Sequence, residues 1–215
     1  MRGITIILNN ERIHTGDDLD LVQEAKTIGE PDVQSFTAKV PGRNGLLNLT
    51  KGLTGKVTYY NRDLSFQYFG SGSMSELLQL EERFFKYHGQ TIRIIDDDRP
   101  GHYYEGEATV STQIHGTYIT IELKVDAQPF RLKLNPTIYS KTLSGASTIV
   151  LANESIGVIP TITVTAATKI SFNGVTVDLS AGSYEVESFE LQAGNNTFNV
   201  SGTGTITFEY REGAI

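Results

Sequence analysis

The chain has 215 residues, with 18 Lys and Arg against 25 Asp and Glu, a formal net charge of −7 and no cysteine. A sequence without cysteine excludes thiol nucleophiles, disulfides and thiolate metal sites. The negative charge is the reverse of the basic excess found in nucleic-acid-binding proteins, so we expect no specific nucleic-acid binding.

The first apolar run, Ile4–Leu8, has five residues. A run this short predicts a β-strand, because a signal-peptide core or a membrane span needs more apolar residues. No later segment of the sequence reaches the length of a span. We therefore expect a chain that is made and folded in a cytosol and has no membrane partner.

Charge is distributed unevenly along the chain. About a quarter of residues 1–133 are charged, against about an eighth of residues 134–215, where Thr, Val and Ile are abundant. A shift in composition of this kind predicts two domains, 1–133 and 134–215, with the connection near the prolines at 129 and 136.

Most of the apolar periodicity is two. Residues alternate between apolar and polar over 119–125, 161–165 and 205–210, which predicts strands with one buried face. Asn173-Gly174 predicts a hairpin turn, since a type I′ turn needs positive φ at both positions. The sequence predicts a mostly β protein, with an α+β first domain and an antiparallel β-sandwich as the second.

One helix is expected, over residues 74–87. Ser73 and Glu76 stand at the positions of a capping box, and Leu77, Leu80 and Phe84 recur at helical spacing. Gly89 is suited to the left-handed conformation that ends a helix. For the segment 15–34 the sequence does not decide between a short helix and an exposed β-arm.

Several groups of residues could form chemical sites, and each also has a plainer interpretation. The acidic run at 96–98 is a carboxylate metal cluster or, more simply, a turn. The four histidines have no helical ligand spacing, and His88 favours a helix C-terminus. The glycine-serine segment 70–73 is an anion-binding loop or a flexible linker. Without a nucleophile elbow, the sequence predicts no enzyme, no metal and no cofactor.

Sugar binding by the second domain would require exposed aromatic side chains. The sequence there has no Trp, and its aromatic residues fall in alternating patterns that favour the core. A carbohydrate-binding module or adhesin contacting the host cell surface stays as the alternative function, and an esterase or glycosidase comes third.

One segment carries a resemblance to a known family. Residues 40–50 read VPGRNGLLNLT and residues 59–62 read YYNR. Together with the ordered strands and the capped helix that follow, this resembles the distal tail (Dit) proteins of long-tailed, siphovirus-type bacteriophages and prophages. The resemblance covers most of residues 1–133. Residues 134–215 resemble, more weakly, the galectin-like β-sandwich of these proteins.

The resemblance implies a structural role. Six copies would form a ring, single or as two stacked rings, that acts as a hub at the tail tip or baseplate of the virion. Its partners would be the tail tube protein, the tail-tip or tail-associated lysin protein and the receptor-binding protein. The chain would be synthesised in the cytoplasm of the bacterial host.

The resemblance also assigns roles to particular residues. It implies a turn set by Pro41, Gly42 and Gly45. It implies that Arg43, Asn61 and Arg62 pair across the fold or across the ring. Pairing of both arginines with carboxylates of their own subunit is the equal alternative.

Overall fold

The computed structural model describes residues 2–42, 44–50, 55 and 57–215. The described chain forms two compact units, one running to Arg131 and including Ile215, the other Leu132–Ala214. Both are built from antiparallel β-strands, and the predicted mostly β fold is confirmed.

The strands and helices are numbered in chain order. Those before residue 131 are β1 Ile4–Leu8, β2 Glu11–His14, β3 Val22–Ile28, β4 Thr37–Lys39, β5 Leu46–Asn48, β6 Arg62–Ser71, α1 Met74–Phe85, β7 Thr91–Asp96, β8 His102–His115 and β9 Tyr118–Ala127. The later ones are β10 Arg131–Lys133, β11 Thr137–Asn153, β12 Thr161–Val164, β13 Thr168–Phe172, β14 Val175–Leu179, β15 Gly182–Glu185, a 3₁₀ turn Glu187–Phe189, β16 Gly194–Tyr210 and β17 Gly213–Ala214.

Seven strands of the first unit form a sheet in the order β2-β1-β7-β8-β9-β6-β3. The long strands β6, β8 and β9 alternate between buried and exposed residues, as period-two patterning predicts. Their buried faces form one core with β1, β7 and α1. Ile6, Phe66, Phe84 and Leu123 in this core are fully buried.

Helix α1 begins at the predicted cap. The Ser73 hydroxyl accepts a hydrogen bond from the Glu76 amide, and the Glu76 carboxylate accepts one from the Ser73 amide. The predicted capping box is therefore confirmed. The helix ends at Phe85, two residues earlier than predicted, because the Tyr87 amide bonds to the Phe84 carbonyl three residues back. Gly89 has φ +69° and follows this tight last turn.

For residues 15–34 the sequence left two alternatives, a short helix or an exposed β-arm. The structure has a turn followed by β3 here, so the helical alternative is wrong. Strand β3 is also no free arm, because it pairs with β6 from Val22 to Ile28, with a bulge between Gln23 and Ala25. It forms one end of the sheet, and its side chains are half-buried or exposed.

The chain leaves the sheet between β3 and β6. Within this stretch β4 and β5 form a separate two-stranded sheet, and Val33 makes a bridge to Tyr59. The Gly29 amide donates a hydrogen bond to the Asp63 carbonyl at the place where the chain leaves the main sheet. We call residues 30–61 the excursion.

In the second unit, β16 pairs with β11 along all its 17 residues. On its other side β16 pairs first with β13 and then with β12, and Gly204 at φ +88° lies between the two pairings. Strand β14 pairs with β13 and strand β15 pairs with β12. Side chains from both of these strand pairs pack into a single core. Asn173 and Gly174 have φ of 50° and 82°, so the predicted hairpin turn is confirmed.

Candidate assembly surfaces and the Arg62 cavity

The residues that carry the family resemblance lie in the excursion and at its return. Gly42, directly after Pro41, and Gly45 have φ of 80° and 79° and lie in the connection between β4 and β5. No described residue lies within 4 Å of a Cβ built at either glycine, so the positive φ is the reason that favours glycine at both positions. Arg43, named with them from the sequence, lies outside the described residues.

The excursion exposes several apolar side chains. Among its described residues, the large apolar side chains that are exposed by more than a third are Val33, Phe36, Val40, Leu46, Val57 and Tyr60. Several exposed apolar side chains in one segment of the chain favour an interaction site more than isolated ones do. We call these six residues the apolar patch.

Asn61 and Arg62 are neighbours in sequence with opposite environments. Asn61 is exposed, whereas Arg62, the first residue of β6, has only 4% of its surface accessible. The Arg62 guanidinium lies over the ring of Tyr104 on β8, with Cζ 5.5 Å from the ring centroid. No salt bridge to a carboxylate is found for Arg62 among the described residues, although pairing within one subunit was one expectation from the sequence.

Arg62 borders a half-open cavity of about 430 Å³ within the first unit. Lys26, Asp96 and Asp98 line one part of it, and Arg99, Tyr104 and Arg131 line another. Arg62 and the acidic run at 96–98 are prominent in the sequence, but their meeting with Lys26, Tyr104 and Arg131 could not be predicted, because these residues come from separate parts of the chain and have no common motif.

The carboxylates of the acidic turn at the end of β7 hydrogen-bond to other parts of the first unit. Asp96 and Asp98 both accept hydrogen bonds from Lys26 Nζ, and Asp97 accepts one from the Gly3 amide at 2.8 Å. The His14 ring also lies 3.1 Å from Asp97. The plainer interpretation of the run, a turn, is confirmed, since the chain turns here between β7 and β8. Among the residues that the structure describes, no cluster of three His, Asp or Glu could hold a metal ion.

His88 lies three residues after the end of α1, and its Nδ1 accepts a hydrogen bond from the Val110 amide at 3.1 Å, which ties this end of the helix to β8. One other interpretation from the sequence is corrected. The segment 70–73 is no flexible linker, since Gly70 and Ser71 belong to β6. A Cβ on Gly70 would lie 2.7 Å from Leu21 Cδ2, so glycine permits this close packing.

The aromatic side chains of the second unit form its core. Phe172 and Phe198 are stacked with ring centroids 4.3 Å apart, and Phe189 and Phe208 meet Phe198 edge-on or tilted. Tyr139 and Tyr184 are half-buried against the same core. The prediction that these residues form the core is confirmed, and none of them forms an exposed stacking platform.

No protein-family model and no curated protein matches the sequence. The structure is similar over its length to the SPP1 Dit protein (gp 19.1), described as a paradigm of the hub adsorption apparatus in Gram-positive infecting phages. The TM-score is 0.65, the sequences are 12% identical and 99% of each chain is covered.

This chain has the fold of a Dit protein. The resemblance drawn from the sequence is thereby confirmed at the level of the fold. The Dit likeness extends through both compact units, including residues 134–215, where the sequence resemblance was weaker. In the described part of this Dit-like chain, no helix is both long and apolar enough to cross a membrane.

Proposed function

We propose that this chain is a structural component of a phage tail tip, a hexameric ring hub that joins the tail tube to the tail-tip and receptor-binding proteins. The observation that carries this proposal is the full-length likeness to the Dit hub protein. A likeness to one domain alone would favour a mobile module, whereas coverage of 99% of both chains favours a shared role for the whole chain.

The apolar patch supports self-association. A cyclic ring needs a head-to-tail interface, in which one surface of a subunit meets a different surface of the next. The excursion departs from the sheet and offers exposed Phe36 and Leu46, whose burial would stabilise such an interface. A neighbouring copy is the natural occupant, because the same patch then serves all six junctions.

The ends of the first sheet offer a second means of association. Strands β2 and β3 end the described order, so each has one side without a strand partner in that sheet. Edge strands can accept a strand from another chain through backbone hydrogen bonds. The tail tube protein would bind one face of the ring, and the tail-tip or lysin protein and the receptor-binding protein the other.

In this proposal residues 1–133 form the ring and residues 134–215 form a galectin-like domain directed to the tail-tip partners. The role needs no catalysis and no cofactor. No observation favours the adhesin alternative, since the aromatic side chains of the second unit lie in or against its core.

Labelling of intact virions with antibodies against this chain tests the proposal. Gold particles viewed by electron microscopy should lie at the distal end of the tail, where tube and tip meet. Label on the capsid, along the tail tube or only on free protein would contradict a tail-tip hub. Particles from a strain lacking the gene serve as the control and should carry no label.

A further inference from the structure

Helix α1 has a second apolar side that is exposed in the single chain. Outside the excursion, the described residues up to Arg131 include five large apolar side chains that are exposed by more than a third, namely Val22, Met74, Leu78, Phe85 and Tyr118. Three of them belong to α1. Spacings of four and seven residues place Met74, Leu78 and Phe85 on one side of a helix with 3.6 residues per turn. We call these three residues the helix stripe.

The helix stripe is separate from the side of α1 that packs on the sheet. That side includes Leu77 and Phe84, which are fully buried. Met74, Leu78 and Phe85 are exposed by 54%, 46% and 48%. The outward positions of an amphipathic helix are usually polar, so aligned apolar residues there favour burial against another surface.

The apolar patch of the excursion lies in a basic part of an acidic chain. Residues 33–61, which include the whole patch, have four Lys and Arg and no Asp or Glu. The other residues have 14 Lys and Arg against 25 Asp and Glu. Two excursions that met through their patches would bring these cations against each other, and like charges across an interface oppose binding. The suitable partner for the patch is therefore an apolar surface with negative charge.

The helix stripe meets both conditions. Helix α1 has three Glu and one Arg. Glu82 is exposed and lies four residues after Leu78, so it borders the stripe. Arg83 follows Met74 by nine residues, or about two and a half turns, and lies on the opposite side of the helix.

We propose that the apolar patch of one copy packs on the helix stripe of the next copy. This inference rests on the hexameric ring proposed above and adds the surface that receives the patch. Because the two surfaces differ, the contact is head-to-tail and repeats from copy to copy until the ring closes. Apolar burial stabilises the contact, and opposite charges favour this pairing over patch against patch.

Cross-linking between single cysteines tests the contact, because the unmodified chain has no cysteine. Full-length Leu46→Cys and Leu78→Cys chains carry different affinity tags, are co-expressed and are treated with a short bismaleimide. Both positions are exposed in the single chain. The proposal predicts a covalent dimer that contains one chain of each kind. Neither variant expressed alone should form a covalent dimer.

Arg83→Cys is the matched control, because Arg83 is exposed on the same helix but on the side away from the helix stripe. Co-expressed with Leu46→Cys, it should form no covalent dimer. A covalent dimer of Leu46→Cys with itself would show that two patches meet. That result, or equal yields with Leu78→Cys and Arg83→Cys, would overturn the proposal.

Light scattering of the same samples separates the contact from the ring. Ring-sized assemblies in which Leu46→Cys and Leu78→Cys are not linked would overturn the contact and leave the proposed hub in place. Chains that stay monomeric at every concentration would contradict both the ring and the contact.

The charge argument has a test of its own. Glu82→Lys should raise the dissociation constant of the assembly about tenfold at low salt, because it places a cation against the basic segment 33–61. Glu107→Lys makes the same change of charge at an exposed position of β8 and should have a smaller effect. Equal weakening by the two variants would show that net charge, and not the pairing of patch and stripe, controls association.

Discussion

Lys26 Nζ lies 2.9 Å from Asp96 Oδ1, although the two residues lie on strands separated by three others in the sheet order. Strand β3 ends the sheet, and Asp96 is the last residue of β7. A flat sheet would hold these positions far apart, since neighbouring strands lie about 4.8 Å from each other. The sheet is therefore strongly curled, and the ion pair joins its two sides over the core.

We expect Lys26→Met to destabilise the first unit by about 3 kcal/mol, because it leaves the carboxylate of Asp96 buried without its cation. Asp96 is almost fully buried, so water cannot replace the lost partner. Chemical denaturation should show the loss. Lys124→Met removes an exposed pair with Glu122 and should cost less than about 1 kcal/mol. Equal losses of stability in the two variants would contradict the claim that the Lys26–Asp96 ion pair stabilises the curled sheet.

The penalty of Lys26→Met should depend on pH. The hydrogen bond from Lys26 holds the pKa of Asp98 below its ordinary value, so the stabilisation is present above about pH 4 and is lost as pH falls through the folded-state pKa. Burial acts to lower the pKa of Lys26, but hydrogen bonds to Asp98 and Asp96 outweigh it and raise the pKa. On the alkaline side, the stabilisation is present below about pH 10 and is lost as Lys26 deprotonates.

Denaturation curves of wild type and Lys26→Met, measured from acid to alkaline pH, check this dependence. The difference between the two should be widest near neutral pH and should narrow towards both extremes. A difference that stays constant down to pH 2 would show that the ion pairs of Lys26 do not contribute through charge.

Tyr104→Phe should leave the free energy of unfolding unchanged within about 0.5 kcal/mol, or raise it. Its buried hydroxyl has no hydrogen bond of good geometry to any residue that the structure describes, so its removal should cost little. Tyr210→Phe is the matched comparison, because the Tyr210 hydroxyl donates to the Ala152 carbonyl at 2.6 Å. That variant should lose about 1 kcal/mol. A greater loss in Tyr104→Phe would show that its hydroxyl is satisfied.

The double variant Phe36→Ser with Leu46→Ser should shift the chain from assemblies to monomers, as measured by light scattering. Both side chains belong to the apolar patch and are exposed by 50% and 61%. Val150→Ser with Ile138→Ser is a control of equal exposure, 51% and 61%, in the second unit. It should keep the assembly. An assembly unaffected by the first pair would place the interface outside the excursion.

Features set by neighbours in sequence could be predicted from the sequence. The capping box needs only Ser73 and Glu76, three residues apart, and the hairpin turn needs only Asn173 and Gly174. Each has a backbone or hydrogen-bond requirement that few residue types meet. The local pattern therefore predicted the structure there.

Features set by distant residues could not be predicted. Lys26 and Asp96 are 70 positions apart, and the curl that brings them together is a property of the whole sheet. Gly70 appeared to be part of a linker because its need for glycine comes from Leu21, which packs against it. The Arg62 cavity likewise depends on Tyr104 from another strand, so the sequence around Arg62 did not indicate it.

The shape of the purified full-length chain under the electron microscope tests the ring most directly, with its mass measured by light scattering. We predict rings of six-fold symmetry, single or stacked in pairs, with a mass that is the corresponding multiple of 23.6 kDa. A monomer of 23.6 kDa that persists throughout the micromolar concentration range would contradict the account.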